Sequence, residues 1–74
     1  MNIKEEIIRI FIENGVDPLN KEELFDIDSI QYVSIIVELE NFFEIILPDF
    51  LLERNEFTDF ERFVSVVSEI FNNK

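Results

Sequence analysis

The 74-residue chain contains no cysteine and no histidine. Without cysteine, neither a disulfide nor a thiolate metal site can form. Without histidine, the commonest general base and the commonest transition-metal ligand are both missing. Most hydrolytic and redox mechanisms lose their usual residues, so the expectation is a protein that is not an enzyme. Positive charge is also scarce, with six Lys and Arg against 17 Asp and Glu and a net charge of -11. Such a surface repels nucleic-acid phosphates and anionic membranes and favours basic protein surfaces. No apolar run approaches the roughly 18 residues that span a bilayer. The run "IIRIFI" is short, is interrupted by Arg9 and follows Glu5 and Glu6, so it does not read as a signal peptide. A cytoplasmic location and, at this charge, a monomer are the expectations.

Glycine occurs once and proline twice, so the chain has few obvious breaks. What it does have is apolar mass: 47% hydrophobic residues, including nine phenylalanines. A domain this small sits near the lower limit for unaided folding, and that mass is its compensation. One domain over residues 1–74 is expected. Ile3, Ile7, Ile10 and Phe11 fall at helical spacing, with Ile8 and Ile12 widening the stripe. Asn2 suits the start of that helix, and Asn14-Gly15 its end. The segment Val16 to Asp28, "VDPLNKEELFDID", reads as a long loop pinned by Val16, Leu19, Leu24 and Phe25, with a short helical turn after Asn20. A central helix is expected from about Ser29 to Phe43, ending before Pro48. A further short turn is expected from Pro48-Asp49; Phe50, Leu51 and Leu52 after it are a second candidate for exposed apolar surface, with coverage of the core the favoured reading. Thr58-Asp59-Phe60-Glu61 fits a capping box in which Thr58 opens the last helix. Phe60, Phe63, Val64, Val67, Ile70 and Phe71 supply its apolar stripe. No convincing strand pair is visible. The pattern predicts an all-α fold, a small bundle of three to four helices.

The central helix carries too much apolar surface for one face. Tyr32, Ile35, Ile36, Leu39, Phe42 and Phe43 share one side and fit the core, whereas Ile30, Val33 and Val37 lie opposite. One explanation is a helix covered on both sides. The favoured one, in so small a bundle, is an exposed patch for a partner protein. Other patterns carry less. Asp26 and Asp28 alternate like the start of a calcium loop, but Ile30 stands at the third ligand position and the turn glycine is missing. The acidic clusters "ELEN" and "KEE" read as solvated faces.

Ser29 stands at the head of this helix. A serine there is commonly a cap, and either Asp28 or Ser29 fits that role. It is also a position where free N–H groups and the helix dipole favour an anion, so a phosphate ester on Ser29 would be well placed. The downstream pattern bears on this choice. Asp28-Ser29-Ile30, then Leu39-Glu40, Phe43-Glu44-Ile45 and Pro48-Asp49, resemble the acyl carrier protein family, including its peptidyl carrier relatives. The resemblance extends weakly over the whole chain.

The resemblance implies that Ser29 carries 4'-phosphopantetheine, attached from coenzyme A by a phosphopantetheinyl transferase, with Asp28 as the preceding acid. It implies a carrier that holds acyl, aminoacyl or peptidyl groups as thioesters and shuttles them between loading and synthase enzymes with basic docking patches. It matches Ile30, Val33 and Val37 to exposed docking positions and Glu40 to an acidic contact. Gln31, Ser34 and Asn41 stand where fatty-acid carriers commonly have acids, the loop before Asp28 lacks the usual glycine, and "FFEIILPDFLL" is greasier than the family's pattern. These departures fit a specialised discrete carrier better than a housekeeping one. Two rival readings remain, both without a cofactor. One is a small acidic adaptor or inhibitor, and the other is a carrier-like scaffold that has lost its modification. Only the carrier needs the Ser29 hydroxyl.

Overall fold

Four helices follow one another in the computed structural model, which describes residues 2–48, 51 and 59–74. They are α1 (Ile3–Glu13), α2 (Lys21–Phe25), α3 (Ser29–Phe43) and α4 (Phe60–Asn72). No strand occurs among the described residues. The fold is the all-α bundle expected of an acyl-carrier-type chain.

Each helix begins on a side chain that accepts from its leading N–H groups. Asn2 accepts from Glu5, Asn20 from Glu22 and Glu23, Asp28 from Gln31, and Asp59 from Arg62. These are the short polar residues that satisfy helix-start donors best. The last of them corrects the expected capping box. The cap of α4 is Asp59, so the helix starts one residue later than a Thr58 cap would place it; Thr58 itself lies outside the described residues. The Asp59 carboxylate also opposes the positive end of the helix. At the end of α1, Gly15 takes φ 84°. Its N–H reaches the Ile12 carbonyl at 2.9 Å, and the Val16 N–H reaches that of Phe11 at 3.0 Å. This paired closure requires a left-handed residue, which only glycine adopts cheaply. α3 closes similarly on Glu44, at φ 55°, with the Ile45 N–H on the Glu40 carbonyl at 3.1 Å.

One core joins the three longer helices. α1 contributes Ile7, Ile10 and Phe11, α3 contributes Tyr32, Ile35, Ile36, Leu39 and Phe43, and α4 contributes Phe60, Phe63, Val64 and Val67. Phe11 meets Phe60 and Phe63 edge-on, with centroids 5.5 and 5.6 Å away. That geometry suits the aromatic quadrupole. The Tyr32 hydroxyl donates to the Leu51 carbonyl, which satisfies the one polar atom its buried ring brings inside.

Some apolar residues sit elsewhere than the sequence suggests. Leu19 and Phe25 are exposed, and the loop is pinned instead by Val16, Leu24 and Ile27. Neighbouring residues on the single turn of α2 point about 100° apart, so Leu24 faces the core while Phe25 faces solvent. Ile12 is also exposed, because at about 100° per residue it falls nearly opposite the buried face of Ile7, Ile10 and Phe11. Phe42 is 44% exposed rather than core. It lies at the margin of the buried arc of α3, where the Arg9 guanidinium covers its ring at 5.2 Å. Leu51 is buried as expected, while Phe50 and Leu52 lie outside the described residues.

Candidate functional site

The head of α3 is held by a reciprocal pair of hydrogen bonds. The Asp28 Oδ1 accepts from the Gln31 N–H at 2.7 Å, and the Gln31 Oε1 accepts from the Asp28 N–H at 3.2 Å. The other end of the Gln31 amide donates from Nε2 to the Asn14 carbonyl at 3.2 Å. Thus one side chain closes the helix start and ties it to the end of α1. Ile27, buried just before the turn, anchors it from below.

This arrangement decides between the two candidate caps. Asp28 is the cap, and Ser29 is the first residue of the helix proper. Ser29 is exposed, and no hydrogen bond among the described residues engages its hydroxyl. The Gln31 N–H goes to Asp28 Oδ1 and the Tyr32 N–H to the Asp28 carbonyl at 3.0 Å. The N–H groups of Ser29 and Ile30 remain at the helix end, where they and the dipole favour an anion.

Beside the serine runs an apolar stripe. Ile30 is 81% exposed, Val33 51% and Val37 47%. At 100° per residue the three fall within an arc of about 60°, on the opposite side of α3 from the core. α1 and α4 pack on the core side. Ser34 and Asn41 border the stripe without charge. Glu40 is placed differently from these. It is half-buried, and its Oε2 accepts from the Leu47 N–H at 2.9 Å, which fastens the chain leaving α3. The structure therefore leaves Asp28, Ser29, Ile30, Val33 and Val37 exposed along the head and outer side of α3 and uses Glu40 to hold the Leu47 N–H.

The capping role of Gln31 is what sequence reasoning missed. Its signal was present, since a Gln three residues after an Asp at a helix start is the pattern of a reciprocal cap. Its bond to Asn14, 17 residues away, had no such signal. Among the described residues there is no group of three potential metal ligands, and no helix is long and apolar enough to cross a membrane.

Known proteins now bear on this surface. A D-alanyl carrier protein of Streptococcus uberis is 38% identical over 79 residues, covering 97% of this chain and 99% of the relative. Those of Streptococcus sanguinis and Streptococcus mutans are 37% and 33% identical over 78 residues, with the same coverage. The chain belongs to this family of small acyl-carrier-type proteins. It is a carrier protein, of a specialised rather than a housekeeping kind. No family model and no solved structure matches the chain.

The division of labour at the turn has a direct consequence for stability. Asp28→Ala should cost about 1 kcal/mol, the usual worth of a helix cap, whereas Ser29→Ala should change stability by less than about 0.5 kcal/mol. Urea melts followed by circular dichroism check this. A larger loss for Ser29→Ala than for Asp28→Ala would mean that the serine caps.

Proposed function

We propose that this chain carries D-alanine as a thioester on 4'-phosphopantetheine attached to Ser29. The observation that carries the reading is the Ser29 hydroxyl, exposed and unused at a helix start that Asp28 already caps. The residues fit the group. Nothing in the packing needs the hydroxyl, and the leading N–H groups of α3 suit the negative charge of a phosphodiester. When bound, the group supplies a terminal thiol on a flexible arm, which holds a carboxylic acid as a thioester. A chain without cysteine thus needs no thiol of its own.

The chain's residues have positioning roles. Ser29 offers the ester oxygen. Asp28 and Gln31 keep the turn that presents it. Ile30, Val33 and Val37, with Glu40 at their edge, form the docking face for a phosphopantetheinyl transferase, for the enzyme that loads the amino acid and for the one that receives it. A net charge of -11 steers basic patches of those enzymes to the carrier and speeds encounter more than it tightens binding. In this reading the chain is a single non-catalytic domain that works as a cytoplasmic monomer. The choice of D-alanine as cargo follows the relatives, which are D-alanyl carrier proteins.

Two measurements test this. Protein isolated from its own cells, treated with hydroxylamine, should release the hydroxamate of alanine, of D configuration on a chiral column, and Ser29→Ala should release none. A fatty acyl or L-aminoacyl hydroxamate would overturn the cargo. For the docking face, Val33→Asp should weaken transferase binding roughly tenfold while melting like the parent. A mutant that unfolds would instead make Val33 a packing residue.

A further inference from the structure

The end of the bundle opposite Ser29 has a cleft of its own. It has a volume of about 820 Å³ and lies where α3 and α4 both terminate, lined by Glu40, Glu44, Ile45, Ile46, Glu69 and Ile70. Ile46 is 86% exposed, the most exposed of the large apolar residues described. With Ile45 and Ile70 it gives the cleft an apolar floor rimmed by carboxylates.

The electrostatics of the cleft have one sign. Helix C-termini carry partial negative charge, and basic residues usually collect there. Neither α3 nor α4 has a basic residue in its last turn. Three carboxylates, Glu40, Glu44 and Glu69, add to the two helix ends instead. One ammonium does reach the place. Lys74 Nζ donates to the Phe43 carbonyl at 3.0 Å, lies 3.7 Å from Glu44 and sits 5.4 Å from the centre of the Phe71 ring. A carbonyl, a carboxylate and an aromatic face together are the surroundings a lysine ammonium prefers. One lysine does not balance three carboxylates and two helix ends.

We propose that this cleft docks a basic amphipathic segment of a partner protein. An apolar side chain of that segment packs on Ile46 and Ile70, and a lysine or arginine next to it pairs with Glu44 and Glu69. The site is remote from the cofactor serine. The 15 residues of α3 separate the two by about 21 Å along the helix axis, at 1.5 Å per residue. A partner held there leaves Ser29 and the stripe of Ile30, Val33 and Val37 open to a second enzyme. The inference concerns the distal residues alone, so it does not depend on which cargo the carrier bears.

The test uses the 15N-labelled protein and a short synthetic amphipathic Lys/Leu peptide, with a Glu/Leu peptide as control. Amide shifts should move saturably at residues 44–46 and 69–70 with the Lys/Leu peptide and stay still with the control. Ile46→Ser and Glu69→Gln change exposed side chains and should melt like the parent, yet each should weaken the peptide roughly tenfold. Shifts spread over the whole acidic surface, shifts centred on residues 30–37, or parent-like affinity in both variants would overturn the proposal.

Discussion

The reciprocal hydrogen bonds between Asp28 and Gln31 are the constraint on which the functional surface depends. A helix start must satisfy its leading N–H groups, and a serine placed there is ordinarily consumed in doing so. Here the aspartate before it accepts from the Gln31 N–H at 2.7 Å. The serine is thereby left with a free hydroxyl in a fixed place. The outer end of Gln31 bonds the Asn14 carbonyl, so the same side chain also sets the head of α3 against the end of α1. Position and chemical freedom of Ser29 come from its neighbours rather than from Ser29 itself.

The second dependence is on the size of the bundle. Among the described residues, α1 and α4 share one core with α3, and that core takes up one side of it. Ile35, Leu39 and Phe43 vanish into that side, while Ile30, Val33 and Val37 stay in solvent. An apolar stripe costs solubility, and the high acidic charge counters that cost. In the proposed function the same charge attracts basic partners, to the stripe flanking the serine at the head of α3 and to the cleft around Ile46 at the other end.

Much of this was legible in the sequence. The bounds of α3 were readable because Asp28-Ser29 and Pro48 bracket a segment without glycine or proline whose apolar residues recur at helical spacing, and its two-sidedness followed from the 3.6-residue period. The core face of α4 was equally plain, from Phe60, Phe63, Val64 and Val67. What was not legible depended on neighbours distant in sequence. Phe42 lies at the border of the buried arc, and its contact with Arg9 from α1 has no signal in the sequence. Leu19 and Phe25 read as loop anchors by composition, yet the path of the loop buries Ile27 instead. The start of α4 moved by one residue because two adjacent side chains, Thr58 and Asp59, are both good caps by type. Glu40 was read as a partner contact, and its bond to the Leu47 N–H depends on a chain reversal that periodicity does not describe.

The central claim is that Ser29 is a chemical handle and not a structural residue. The most direct test is an intact mass of the purified protein after incubation with coenzyme A and a phosphopantetheinyl transferase, run beside Ser29→Ala. The account predicts that the parent gains the mass of one phosphopantetheine unit and that the folded variant gains nothing. Modification of the Ser29→Ala variant, or a parent left unmodified by both a broad-specificity and a cognate transferase, would contradict it.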